Sequence, residues 1–179
     1  DIANNSVPWS AQPELFWSAR DVAEHGEATK FAGNYDQAMD SLENILRDSV
    51  AARMVADVDV GALLSGGIDS TMVVSLMQSL SSRPVQTFSI GFWEDKYNEA
   101  EFASSVATHI GTEHHELYIT PDQALGVVDQ LPVIYDEPFA DSSQIPTYLV
   151  CKLAREKVKV VLSGDGGDEQ FAGYPRYKN

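Results

Sequence analysis

The chain has 179 residues, 44% of them hydrophobic, and its 27 acidic side chains against 12 basic ones leave a formal charge of −15. One core of ordinary size is within reach of such a chain, and the acidity argues against a nucleic-acid partner, whose phosphates demand basic surface. A single cysteine, Cys151, excludes an internal disulfide framework and reads as a buried packing thiol. With no apolar run of about 18 residues and no basic-then-apolar leader, the sequence points away from membrane and export and toward the cytoplasm.

Residues 1–34 carry Pro8, Pro13 and scattered aromatics without a sustained period, the pattern of a linker or arm with at most one short strand. From Asp36 to about Met54, apolar residues at Ala38, Leu42, Ile45, Leu46, Val50 and Met54 recur at helical spacing. Val60 to Leu64 reads as a buried strand, Ile68 to about Leu80 as a helix and Val85 to Phe92 as the next strand. Asn98, with Glu101 three residues on, predicts a capping box for a helix to Ile110 that Gly111 ends. Glu116 to Ile119 is the third predicted strand, and helices near Pro121–Leu131 and Ser143–Glu156 lead to a fourth strand at Val158–Leu162. Repeated strand–helix units imply a mostly parallel sheet with helices on both faces and right-handed crossovers.

The most informative loop is Leu64-Ser65-Gly66-Gly67-Ile68-Asp69-Ser70, which joins an apolar strand to a helix. Glycines without Cβ atoms let backbone N–H groups turn inward, two serines add hydroxyls, and the helix presents its positive end to an anion. A plain glycine turn explains the loop alone, but Asp69 would repel a phosphate unless a cation such as Mg²⁺ bridged the two. No lysine follows the glycines, so this is not a Walker-type loop. Some ninety residues later, a second apolar strand runs into Ser163-Gly164-Asp165-Gly166-Gly167-Asp168-Glu169. Such loops at the carboxyl ends of parallel strands face one crevice, although a solvated acidic turn also accounts for the second.

Together these residues resemble a known family. SGGIDS is similar to the pyrophosphate loop of the ATP pyrophosphatase superfamily, and SGDGGDEQFAGYPRY to the second signature of glutamine-dependent asparagine synthetases. The resemblance runs from about Tyr35 to Tyr177 and includes Phe88-Ser89-Ile90-Gly91-Phe92, His114-His115-Glu116 and the run from Asp136 to Ser143. It implies a Rossmann-like, adenine nucleotide alpha hydrolase-like sheet in strand order 3-2-1-4. It also implies ATP-dependent adenylation of a carboxylate with release of pyrophosphate, then amidation by ammonia.

Carried over by position, Ser65, Gly66, Gly67, Asp69 and Ser70 bind pyrophosphate, Leu64 and Ile90 contact adenosine, and Ser163 and Gly164 lie near the ribose and α phosphate. Asp69 and Asp168 hold Mg²⁺. Asp165 stands where many members have glutamate for the amide-forming half, and its shorter side chain departs from that pattern. The implied acceptor is aspartate; another carboxylate, as in β-lactam synthetases and related amidotransferases, or a non-catalytic nucleotide-binding module, are the alternatives. In the family a glutaminase domain with an N-terminal cysteine nucleophile precedes this region and supplies ammonia from glutamine, and further helices follow it. The chain starts at Asp1 and stops just past the second loop. Residues 1–34 are therefore expected to be a linker from that domain, and 35–179 the first part of the synthetase domain, inactive in isolation; a homodimer is left open.

Elsewhere, His114 and His115 adjoin on a strand and so point to opposite faces, which disfavours a joint metal site. His25 and His109 have no evident partner. Ser142 or Ser143 is a candidate helix cap, with Asp141 as a competing pocket residue, and Trp9, Trp17 and Trp93 are expected to pack or to lie at a seam with other domains.

Overall fold

The computed structural model describes residues 14–93, 98–138 and 140–178. The chain divides into two compact units, Asp1–Leu42 and Glu43–Asn179. In the first, the expected linker holds a helix, α1 (Ala19–Ala28), whose N-terminus is capped by the Ser18 hydroxyl accepting from the Asp21 N–H. The sequence predicts at most a short strand here, and no residue of α1 is buried. Trp17 is exposed, and Trp9 lies outside the described residues. Helix α2 (Tyr35–Met54) runs from the first unit into the second.

The second unit is a four-stranded parallel sheet in the order β3-β2-β1-β4. Its strands are β1 (Val60–Leu63), β2 (Gln86–Phe92), β3 (Glu113–Ile119) and β4 (Val160–Leu162). The central pair registers Ala62 with Thr87 and Leu63 with Phe88, and β4 sets Val60, Gly61 and Ala62 against Val160, Val161 and Leu162. Alternation along β1 divides the core in two. Ala62 packs with Val50 of α2, with Val74 and Met77 of α3 (Ile68–Leu80) and with Ala103 and Ala107 of α4 (Ala100–Ile110). Leu63 points the other way, toward Phe88 and toward Val150 and Ala154 of α7 (Gln144–Arg155). Helices thus cover both faces, the arrangement that buries the near-continuous apolar runs of a parallel sheet.

Several boundaries differ from the sequence reading. Strand β3 begins at Glu113 rather than Glu116, because its polar start finds tertiary partners on β2. His114 bridges Thr87 and Ser89, while His115 bonds Gln86 and stacks on Phe88 with ring centroids 5.3 Å apart. The Asn98–Glu101 capping box does not form; Asn98 Oδ1 accepts from Ala100 N, only two residues on, at 3.3 Å. Gly111 does end α4, with φ of 85°. The helix expected to run to Leu131 breaks into α5 (Pro121–Val128), which has a complete Thr120/Gln123 capping box, and the single turn α6 (Leu131–Ile134). Pro132 cannot supply the N–H that a continuous helix needs there. Val158 is buried but precedes the β4 ladder, and Ile45 of α2 is exposed. Cys151 is exposed on α7, contrary to its reading as a core thiol, and partial desolvation pushes its thiol pKa upward. Among the described residues no helix is long and apolar enough to cross a membrane.

Candidate functional site

From β1 the chain moves by way of α3 to β2 and then by α4 to β3; it then returns to the opposite side of β1 to form β4. The chain leaves β1 toward β2 on one side while β4 lies on the other, and the carboxyl ends of β1 and β4 flank the crevice in which open α/β sheets take ligands. Both glycine-rich loops leave the sheet at this crevice.

The first loop is closed on itself by its serines. Ser70, at the first turn of α3 and 8% exposed, places its Oγ 3.0 Å from Ser65 Oγ and donates to Gly67 O at 3.2 Å. The Ser65 N–H donates to Ser70 Oγ at 3.3 Å, and the Gly67 N–H to Ser65 Oγ at 3.2 Å. Gly66 has φ of 81°, and a Cβ on it would lie 2.9 Å from Ala103 N. Only glycine combines that left-handed backbone with so close an approach to α4.

The second loop is tied by Ser163 Oγ, which donates to Asp165 Oδ2 at 2.9 Å, and by the Gly167 N–H, which donates to Gly164 O at 3.3 Å. It opens helix α8 (Gly167–Phe171). The two loops meet directly. A Cβ on Gly164 would stand 2.6 Å from Ser70 N, and one on Gly167 would stand 2.5 Å from Asp69 Cγ. The Asp69 carboxylate therefore lies against the backbone from which Asp168 projects. Gly167 is not among the candidates that the sequence singles out; its paired position in Gly166-Gly167 is the signal that marks it. Asp168 in turn touches the chain that follows α8: its carbonyl accepts from Gly173 N at 3.0 Å, and its carboxylate occupies the space a Cβ on Gly173 would need.

Leu64 is 1% exposed, and its N–H donates to Phe88 O at 2.9 Å, so its side chain belongs to the core and only its backbone is left to face a ligand. Ile90 is half-buried and packs beside Phe88 on the α7 side of the sheet. Among the described residues no group of three or more His, Cys, Asp or Glu side chains converges as a ready cage for a metal. The two loops nonetheless offer carboxylates and no cation. This donor set suits Mg²⁺, which is commonly held by one or two carboxylates with phosphate oxygens completing its shell.

The other candidates lie apart from this pair of loops. His114 occupies the α4 side of the sheet with Nδ1 2.9 Å from Thr87 Oγ1 and Nε2 3.2 Å from Ser89 Oγ, and burial lowers its pKa despite Glu116 nearby. His115 faces the other way, so the pair forms no joint site. The hydroxyls of Ser142 and Ser143 do not cap α7; Asp141 Oδ1 accepts from the Ser143 N–H at 2.8 Å instead, and Ser143 hydrogen bonding lowers the Asp141 pKa. Phe139 lies outside the described residues. Trp93 is exposed and packs on Tyr118 at 5.0 Å between ring centroids. Beyond α8, the Tyr174 phenol donates to Glu169 Oε1 at 2.8 Å, which lowers the Glu169 pKa and raises that of Tyr174.

Comparison with known proteins agrees with this geometry. A glutamine-hydrolyzing asparagine synthetase 1 of Bacillus subtilis is 36% identical over 80% of this chain and 22% of its own length. Asparagine synthetase B of Escherichia coli, also glutamine-hydrolyzing, is 34% identical over 79% of this chain and 29% of its own. A Methanocaldococcus jannaschii protein, provisionally named glutamine-hydrolyzing asparagine synthetase 2, is 46% identical over 76% of this chain and 27% of its own. The chain thus spans about a quarter of the length of these relatives. An NH3-dependent NAD synthetase from Campylobacter jejuni matches in structure with a TM-score of 0.53 at 18% identity, over 75% of this chain and 60% of that one. This likeness supports the fold, a parallel sheet with helices on both faces. The family model for asparagine synthase covers residues 41–179, which include both loops and all four strands: the chain belongs to the asparagine synthase family.

Proposed function

We propose that this chain is the first part of the synthetase domain of a glutamine-hydrolyzing asparagine synthetase and carries most of its ATP site. The observation that supports this best is the seating of Gly164 and Gly167 on Ser70 and Asp69, which joins two phosphate-competent loops into one surface. In this reading the side-chain carboxylate of aspartate attacks the α phosphorus of ATP, pyrophosphate departs, and ammonia opens the acyl adenylate to the amide, releasing AMP. Ser65, Gly66, Gly67 and Ser70 hold the departing pyrophosphate; the Ser65 and Gly67 N–H groups and the Ser70 hydroxyl, which bond within the loop, exchange those partners for phosphate oxygens. Ser163 and Gly164 take the ribose and α-phosphate side, and Leu64 and Ile90 border the adenosine. Asp69 and Asp168 bind Mg²⁺, which when bound neutralises charge on the leaving group. Asp165, oriented by Ser163 Oγ, serves the amide-forming half. A glutaminase domain of the same parent supplies ammonia, residues 1–34 link it to the synthetase domain, and the enzyme works in the cytoplasm.

The test is pyrophosphate release by the full-length protein with ATP and Mg²⁺. Aspartate should stimulate it, and Asp69→Ala or Asp168→Ala should abolish it. Stimulation by a different carboxylate would reassign the acceptor, and normal turnover in both variants would overturn the site.

A further inference from the structure

Asp168, half-buried like Asp69, stands in the five-residue helix α8 with acidic Glu169 beside it. The segment after α8 is built to hold it. Ala172 ends the helix in the left-handed region with φ of 54°, turning the chain back. Gly173 then donates its N–H to the Asp168 carbonyl at 3.0 Å and lies directly against the Asp168 carboxylate, where any side chain would collide. The returning segment is fastened at one further point. Tyr174 donates to Glu169 Oε1 at 2.8 Å, and the Arg176 guanidinium sits over the Tyr174 ring at 4.4 Å, with Tyr177 edge-on to Tyr174 at 5.6 Å between centroids.

We infer that Glu169, Tyr174 and Arg176 form a clasp that positions Asp168 for the metal by pressing Gly173 against its carboxylate. These three are positioning residues, since none is argued to touch substrate. The clasp also gives Glu169 a hydrogen-bond partner of its own, which leaves the metal to the neighbouring carboxylate. Cation–π contact and a charge-assisted hydrogen bond are each modest at an exposed site, but both act on the same short return. The inference rests on Asp168 belonging to the ATP site.

The experiment uses the full-length protein and measures the Mg²⁺ concentration that half-saturates ATP binding, by calorimetry, beside pyrophosphate release. Tyr174→Phe removes only the hydroxyl and should raise the Mg²⁺ requirement about tenfold, the lower end of what partners of metal ligands contribute. Its turnover at saturating Mg²⁺ and its melting temperature should be unchanged. Gly173→Ala should raise the requirement further by displacing the carboxylate itself. Tyr148→Phe, which removes a hydroxyl bonded to Gln130, is the control. If Asp168→Ala removes the Mg²⁺ dependence of ATP binding while Tyr174→Phe and Gly173→Ala leave it at the parent value, the clasp is refuted and the site stands. If Asp168→Ala itself leaves that dependence unaltered, the site assignment fails, and the clasp with it.

Discussion

Replacing Gly164 with alanine isolates the contact between the two loops. Gly164 is not in the left-handed region, so alanine brings no backbone penalty of that kind. The added methyl would stand 2.6 Å from Ser70 N, 2.9 Å from the Asp69 carbonyl carbon and 3.0 Å from Asp69 Cβ. Two of these three are main-chain atoms at the start of α3, which no rotamer change can move aside. The loops must separate by several tenths of an ångström or more. Overpacking of this kind costs about 1–3 kcal/mol, which equilibrium urea unfolding resolves. The same displacement moves Ser163 and the second loop away from the first, and a misplacement near 1 Å at a reacting centre costs roughly 100-fold in rate. The expected result for full-length Gly164→Ala is therefore a modest loss of stability with a far larger loss of aspartate-stimulated pyrophosphate release. Parent-like values of both quantities would refute the contact.

Gly126, in the middle of α5, is the opposite case: no atom lies within 4 Å of a Cβ there, so Gly126→Ala should raise stability by up to about 1 kcal/mol without changing turnover, as thermal denaturation and pyrophosphate assays would report. His114 has its pKa lowered in the folded state by burial, with Glu116 partly opposing. Its contribution is full above the unfolded value near 6.5 and is lost as pH falls through the folded value, because the unfolded chain then binds the proton more readily. His114→Gln should flatten the decline in melting temperature between about pH 7 and about pH 5, and an unchanged slope would count against it. Cys151 is exposed but has a raised thiol pKa. It should react stoichiometrically with a thiol reagent in the native protein, slowly at neutral pH and faster as pH rises, whereas labelling that requires denaturant would contradict its placement.

The four strands of the second unit and the helices α2, α3, α4 and α7 were legible from residue type alone. Apolar runs such as Val60–Leu63 and helical spacing such as that through Val50 and Met54 reflect which faces must leave water, and this is a local property of the chain. The two glycine loops were legible for the same reason, since tight turns with inward N–H groups demand particular residues at adjacent positions. Other features depended on partners distant in sequence. The early start of β3 needed Thr87 and Ser89, on another strand, to satisfy His114. Two further features are tertiary for the same reason. The contact of Gly164 with Ser70 and of Gly167 with Asp69 arises only because β4 returns beside β1. Likewise, the burial of Leu64 leaves it only a backbone to offer a ligand, although its position in the loop is plain in the sequence. Local chemistry selects which residues form the glycine-rich loops, and chain topology decides which of those loops meet.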